Sequence, residues 1–306
     1  MTEQAAAPPS PMRVLVAVDG SPGAQVGVDL VNALSWPAGS AIRFVAAVQT
    51  FQEIGYGLFG VPPPDMNIEQ PYLDELEDTL RAAVDAVQQG VTGESATVYG
   101  RPADAILHDA ESFAPDLIVA GSRGHGAIAT MLLGSVSAEL VDRAPCPVLV
   151  ARRPRVDRML LAYDGSPEAQ RALELTADWP LLCGHDTRVV SVAQPPVLWR
   201  SGIAPGMYRE VIDDYSDELT QLQTEYGQLA AEAAARLKEA GIEADGERRT
   251  GDPAHEILLA AEELGADLIV IGSRGRTGLK RAVLGSVARN VLINAKASVL
   301  VVHLPR

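Results

Sequence analysis

Two stretches of this chain repeat one another at fixed spacing. Gly121-Ser122-Arg123-Gly124, nine residues, then Gly134-Ser135 recurs as Gly272-Ser273-Arg274-Gly275, nine residues, then Gly285-Ser286. The copies are offset by 151 residues, with no insertion or deletion between matched glycines. Each follows an apolar run that reads as a buried strand, Asp116 to Ala120 and Asp267 to Ile271, and each ends where a helix is expected to start. Glycine lets backbone approach a ligand closely, and a helix N-terminus presents free N–H groups to an anion. The repeat therefore predicts two anion sites on two copies of one domain.

The duplication extends further. Val14-Leu-Val-Ala-Val-Asp19-Gly-Ser21 matches Met159-Leu-Leu-Ala-Tyr-Asp164-Gly-Ser166, and Gly100-Arg-Pro102 matches Gly251-Asp-Pro253. Cys146-Pro-Val-Leu-Val150 matches Ala297-Ser-Val-Leu-Val301. Short Val/Ile/Leu runs alternate with longer amphipathic segments, the pattern of βαβ units and a parallel sheet. Strands are expected near 13–18, 42–48, 95–99, 116–120 and 147–151, then near 158–163, 187–193, 244–249, 267–271 and 298–303. Helices are expected near 22–34, 70–89, 103–113 and 135–143, then near 167–178, 208–240, 254–264 and 286–294. The chain divides into a disordered tail over 1–11, a first domain over 12–151, a linker over 152–157 and a second domain over 158–306. Pro102 and Pro253 suit the first helical position, with Asp252 a good N-cap and Arg101 a poorer one. The long loops 49–69 and 194–207 read either as flaps over a site or as surface connections. Tyr215, Leu219, Leu222, Tyr226, Leu229 and Ala233 form a seam that fits a face packed on the domain's own sheet better than a coiled coil.

Bulk properties exclude several functions. A formal charge of −15 argues against a nucleic-acid partner, which needs a basic footprint. No apolar stretch approaches the roughly 20 residues that span a bilayer, and the N-terminus lacks the marks of a signal peptide, so a cytoplasmic location is expected. Two cysteines at unmatched positions support neither a disulfide framework nor a zinc site, and five scattered histidines show no ligand spacing, so no metal site is expected.

If each copy has strand order 3-2-1-4-5, its ligand crevice lies between first and fourth strands. Asp19 or Asp164 ends the first strand there, and a glycine loop ends the fourth. Gly121 and Gly124 would keep the loop low so that its amides face a phosphate chain. Gly134 and Ser135 would add amides, a hydroxyl and the positive end of a helix dipole. Asp19 repels phosphate and suits ribose hydroxyls or a base amine, so the combination describes a nucleotide. Ser135 and Ser286 also read as ordinary N-caps, and Asp-Gly-Ser as a common turn. A Walker motif is excluded because Val136 and Val287 follow the serines and the Lys is missing. Gly-x-Ser-x-Gly is absent, so nucleophilic hydrolysis has no positive support.

On Gly-x-x-Gly, nine residues, Gly-Ser, with an Asp ending the first strand, the chain resembles the universal stress protein family in its tandem form, over residues 12–303. The resemblance implies α/β domains with doubly wound, five-stranded parallel sheets, ATP as ligand (AMP or ADP as alternatives, Mg2+ as a companion), and a stress or dormancy role. Carried over to this sequence, Asp19 and Asp164 would meet the nucleoside and backbone groups at Val48 and Val192 the adenine. Gly121, Gly124, Gly134 and Ser135 would hold phosphates in the first copy, with Ser122, Arg123, His125, Val136 and Ser137 also at the nucleotide. Gly272, Gly275, Gly285 and Ser286 would do so in the second, with Ser273, Arg274, Arg276 and Val287 also at the nucleotide. By the same analogy the last strands would pair the two halves into an internal pseudo-dimer, with a homodimer and an unidentified protein partner as further implications.

The copies differ. The second loop carries Arg274, Arg276, Lys280 and Arg281 against Arg123 and His125 in the first; if they face the ligand, the second site binds polyphosphate more tightly. The alternative is that Lys280 and Arg281 are solvated surface charges. Ser137 is matched by Ala288, removing one hydroxyl contact, and Ala297-Ser298 departs from the family's usual Cys-Pro. An ATP-binding regulatory protein is the leading expectation. A slow ATP hydrolase or nucleotide-transfer enzyme ranks lower for want of a clear general base or arginine finger, and a scaffold that binds no nucleotide is the third.

Overall fold

The computed structural model describes residues 10–49, 69–122, 124, 133–195, 208–276 and 284–304, the side chains of 69 and 208–217 excepted. The first half runs β1 (Arg13–Val18), α1 (Pro22–Ala33), β2 (Ala41–Val48), α2 (Glu69–Asp85), β3 (Thr92–Tyr99), α3 (Pro102–Phe113), β4 (Leu117–Gly121), α4 (Ser135–Arg143), β5 (Val148–Ala151). The second runs β6 (Arg158–Ala162), α5 (Pro167–Asp178), a 3-10 turn (Pro180–Leu182), β7 (Asp186–Ala193), α6 (Tyr208–Glu239), β8 (Ala244–Thr250), α7 (Pro253–Leu264), β9 (Leu268–Gly272), α8 (Ser286–Asn294), β10 (Ser298–Val302). The expected helix 70–89 stops at Asp85, because Val87 N–H bonds back three residues to Val84 and Gly90 takes φ +85°. The other described elements lie within a few residues of their expected limits.

One ten-stranded sheet has order β3-β2-β1-β4-β5-β10-β9-β6-β7-β8, so each half has order 3-2-1-4-5. Within a half all pairs are parallel. The halves join where β5 pairs antiparallel with β10, Leu149 opposite Leu300. This pairing removes one open edge from each half. Ser298, which departs from the family's usual residue, supports the join: its hydroxyl accepts the N–H groups of linker residues Arg152 and Arg153, both at 3.1 Å.

The central strands are buried on both faces, as a parallel sheet requires, while the edge strands β3 and β8 are largely half-buried or exposed. In β1, Val14, Val16 and Val18 enter one core and Leu15 enters the other. The first core takes α1, α2, α5 and α6; the second takes α3, α4, α7 and α8. The helix α6 packs on β7 and β8 as expected, but of the described seam residues Ala233 alone is fully buried; Leu219, Leu222, Tyr226 and Leu229 are half-buried, and Ala230, Ala234 and Leu237 complete the core contact. Tyr215 lies among the residues whose side chains are not described. Cys146 is buried in the second core, and burial pushes its thiol up to about 12, so it is an inert core residue.

Ser21 and Ser166 cap α1 and α5, each accepting the N–H three residues on at 3.2 Å. Asp252 caps α7 through the N–H of His255 at 3.0 Å, whereas Arg101 gives α3 no side-chain cap. The C-termini of α3 and α7 also differ. Gly265 adopts the left-handed conformation at φ 64°, and the matching residue of the first copy, Ala114, does so at φ 47°. A Cβ there is crowded by the backbone, so Ala114→Gly is expected to stabilise the first half by about 0.5–1 kcal/mol. A denaturant midpoint unchanged or lowered by that substitution would contradict the strain.

Candidate functional site

The crevice of the second half opens where β6 and β9, adjacent in the sheet, lead into diverging connections. Asp164 follows β6, and its carboxylate organises the backbone. Oδ1 accepts the N–H of Ser166 at 2.9 Å, which turns the chain into α5. Oδ2 accepts the N–H of Arg276 at 3.1 Å, on the far side of the loop glycine. A Cβ on Gly275 would stand 2.8 Å from that same oxygen. A side chain here would therefore push the Asp164 carboxylate, the end of a flexible side chain, off the loop. The first half repeats the arrangement: Asp19 Oδ1 accepts the Ser21 N–H at 3.0 Å, and a Cβ on Gly124 would fall inside 3.0 Å of Asp19 Oδ2.

Gly121 and Gly272 answer to a different constraint. A Cβ on Gly272 would lie 2.8 Å from the backbone N of Ala169 and the carbonyl carbon of Glu168. On Gly121 it would meet the Gly23 and Ala24 backbone more closely still. These glycines let the first turns of α1 and α5 press on β4 and β9.

Among the described residues, one backbone bond joins the two ends of each nine-residue spacing. Gly134 N–H donates to Ser122 O at 2.7 Å and Gly285 N–H to Ser273 O at 2.8 Å. Ser122 and Ser273 are buried, with their own N–H groups held by Ala151 and Val302. Gly134 and Gly285 are the N-caps of α4 and α8, and neither supplies a capping side chain. Ser135 and Ser286 are accordingly first helical residues and not caps. The first intrahelical donor is Ala138 in α4 and Arg289 in α8, so the amides of 135–137 and 286–288 point out of the helix unused by it. That is the polarity an anion seeks.

Ser137 is committed elsewhere. Its hydroxyl donates to the Gly121 carbonyl at 2.6 Å, tying α4 to the end of β4, so the difference from Ala288 is first a packing difference. The basic second loop is also largely neutralised where it is described. Arg274 pairs with the buried Glu168 at 2.8 Å, and Arg276 pairs with Glu225 at 2.6 Å. Arg123, His125, Lys280 and Arg281 lie outside the described residues.

Val48 and Val192 are not equivalent. Gly100 N–H donates to Val48 O at 3.0 Å, and the matching Gly251 N–H donates to Ala193 O at 3.1 Å. Ala193 is thus the counterpart of Val48. The one-residue step changes the face: Val192 belongs to the core beside the crevice and Val48 to the opposite core.

Around Asp164 and the α8 N-terminus lies a cavity of about 580 Å³. Gly272, Gly275, Gly285, Ser286 and Val287 line its polar end; Ala162, Val190, Val192, Ile257, Ile271 and Leu284 form apolar walls. Tyr226 from α6, Gln194 after β7 and Pro253 from α7 complete it. These three are not legible in the loop motif. Tyr226 stood in the helical seam, where its period marked it only as inward-facing. In the first half α2 brings Tyr72 toward Asp19: burial, and then the Asp19 charge, raises its phenol above the ordinary range. Among the described residues no group of three or more His, Cys, Asp or Glu gathers to hold a metal, and no helix is long and apolar enough to cross a membrane.

Comparison with known proteins agrees with this architecture. The sequence profile of the Universal stress protein family matches residues 11–152 and again 155–303. Universal stress protein Rv1996 of Mycobacterium tuberculosis is 28% identical over 321 residues, 96% of this chain and 95% of that protein. Universal stress protein YxiE of Bacillus subtilis is 33% identical over 148 residues, 48% of this chain and 99% of its own length. Among solved structures, a universal stress protein from Archaeoglobus fulgidus is similar in fold, with a TM-score of 0.62, 22% identity, and coverage of 95% of this chain and 98% of that one. With its profile matched twice and across most of the chain, the protein belongs to the universal stress protein family, as two family domains in tandem.

Proposed function

We propose that the protein is a nucleotide-binding regulator of the stress response, with one adenine-nucleotide site in each half. The observation that carries this reading is the second-half cavity, which sets an uncapped helix N-terminus at one end and apolar walls at the other. A volume of about 580 Å³ falls within the range of small-molecule sites. The α8 amides suit phosphate oxygens, and Val190, Val192, Ile257 and Ile271 offer a slot for a flat base. Asp164 uses one lone pair of each oxygen on the backbone and keeps the others for ribose hydroxyls. The matching bonds around Asp19, Gly124 and Gly134 support a second site of the same kind. ATP is the favoured ligand, with AMP and ADP as alternatives. Any Mg2+ would arrive on the phosphates. Regulation implies a change in contact with a partner protein.

Calorimetry with ATP, ADP and AMP is expected to give saturable binding at up to two sites per chain. No heat of binding at millimolar ATP would remove the nucleotide reading and leave a scaffold. Phosphate release well above background, lost in the Asp19→Ala, Asp164→Ala double variant, would replace it with hydrolysis.

A further inference from the structure

The second crevice is crossed by a contact that the glycine motif does not require. Arg276 follows the loop glycine, and its own N–H is fixed on Asp164 Oδ2 at 3.1 Å. Its side chain reaches α6, where Nη1 donates to Glu225 Oε1 at 2.6 Å and to the Tyr226 hydroxyl at 3.4 Å. The guanidinium carbon stands 5.7 Å from the Tyr226 ring centre. Arg276 and Tyr226 both line the cavity, whereas Glu225 does not. The loop that would receive phosphate is thus strapped to the long helix over the cavity.

The strap is built to exchange. Arg276 and Glu225 side chains are 46% and 47% exposed, so water screens their attraction and the pair is weak. A guanidinium bonds phosphate oxygens through two parallel N–H groups, and a polyphosphate brings more charge than one carboxylate. Its neighbour behaves differently: the partner of Arg274, Glu168, is only 7% exposed, which makes that pair a fixed part of the wall.

We propose that Arg276 is a specificity-determining residue that exchanges Glu225 for ligand phosphate and so selects phosphorylated nucleotide over free nucleoside at the second site. This rests on the nucleotide reading above. ATP and adenosine are titrated against the full-length protein and two variants. Glu225→Gln releases the guanidinium and is expected to raise ATP affinity about 2–5-fold in one of the two binding events, with adenosine unchanged. Arg276→Gln is expected to lower ATP affinity about 5–10-fold in that event, again with adenosine unchanged. If ATP binds the wild type and its ratio to adenosine is the same in both variants, the exchange is overturned while the nucleotide reading stands. If the wild type binds neither compound, both fall together.

Discussion

Alanine at Gly272 is expected to lower the thermal unfolding midpoint of the second domain by roughly 5–10 °C, the equivalent of about 2–3 kcal/mol. The added Cβ would lie 2.8 Å from backbone atoms of Glu168 and Ala169, and backbone in the first turn of a helix has no rotamer with which to retreat. Either α5 lifts from β9 or the strand end shifts. Both disturb packing that Leu173 and Leu175 make with the core. Gly121→Ala should act alike in the first domain, against Gly23 and Ala24. Gly275→Ala is the control, because its close neighbour is the end of a flexible Asp164 side chain. A midpoint that moves for Gly275→Ala and not for Gly272→Ala would reverse the assignment.

Asp164→Ala is expected to leave the domain folded and to weaken nucleotide binding at the second site by about 10–100-fold. The carboxylate holds two backbone N–H groups, one before α5 and one in the glycine loop. Hydrogen bonds to a charged acceptor contribute about 1.5–3 kcal/mol each. Their loss frees the loop and also removes the acceptor proposed for ribose. Asp164→Asn, which keeps one acceptor oxygen, should fall between. Equal affinity in wild type and Asp164→Ala, measured by calorimetry on folded protein, would exclude Asp164 from binding.

The sequence carried the fold because its signals were local and written twice. Val14 to Val18 and Met159 to Ala162 read as buried strands, and matched glycines reported matched turns. The reason for each glycine was not local. Gly121 meets Gly23, and Gly124 meets Asp19, both about a hundred residues earlier, so spacing could not separate a packing glycine from a site glycine. Equating Val192 with Val48 failed by one residue at a strand end, where period-two alternation makes one residue a change of face. The charge contrast between loops was visible in Arg274 and Arg276. Their partners Glu168 and Glu225 were not, since the approach of α5 and α6 to the loop is set by tertiary packing.

The antiparallel join of β5 to β10 has a consequence for signalling. It reverses strand direction midway through the sheet, so the carboxyl ends of β1–β5 and of β6–β10 point to opposite rims. The two crevices therefore open away from each other, like doors at the two ends of a corridor. On the nucleotide reading proposed above, a partner seated on one rim would sample one occupancy and be blind to the other. On that reading a tandem chain of this build would report two conditions to two listeners at once.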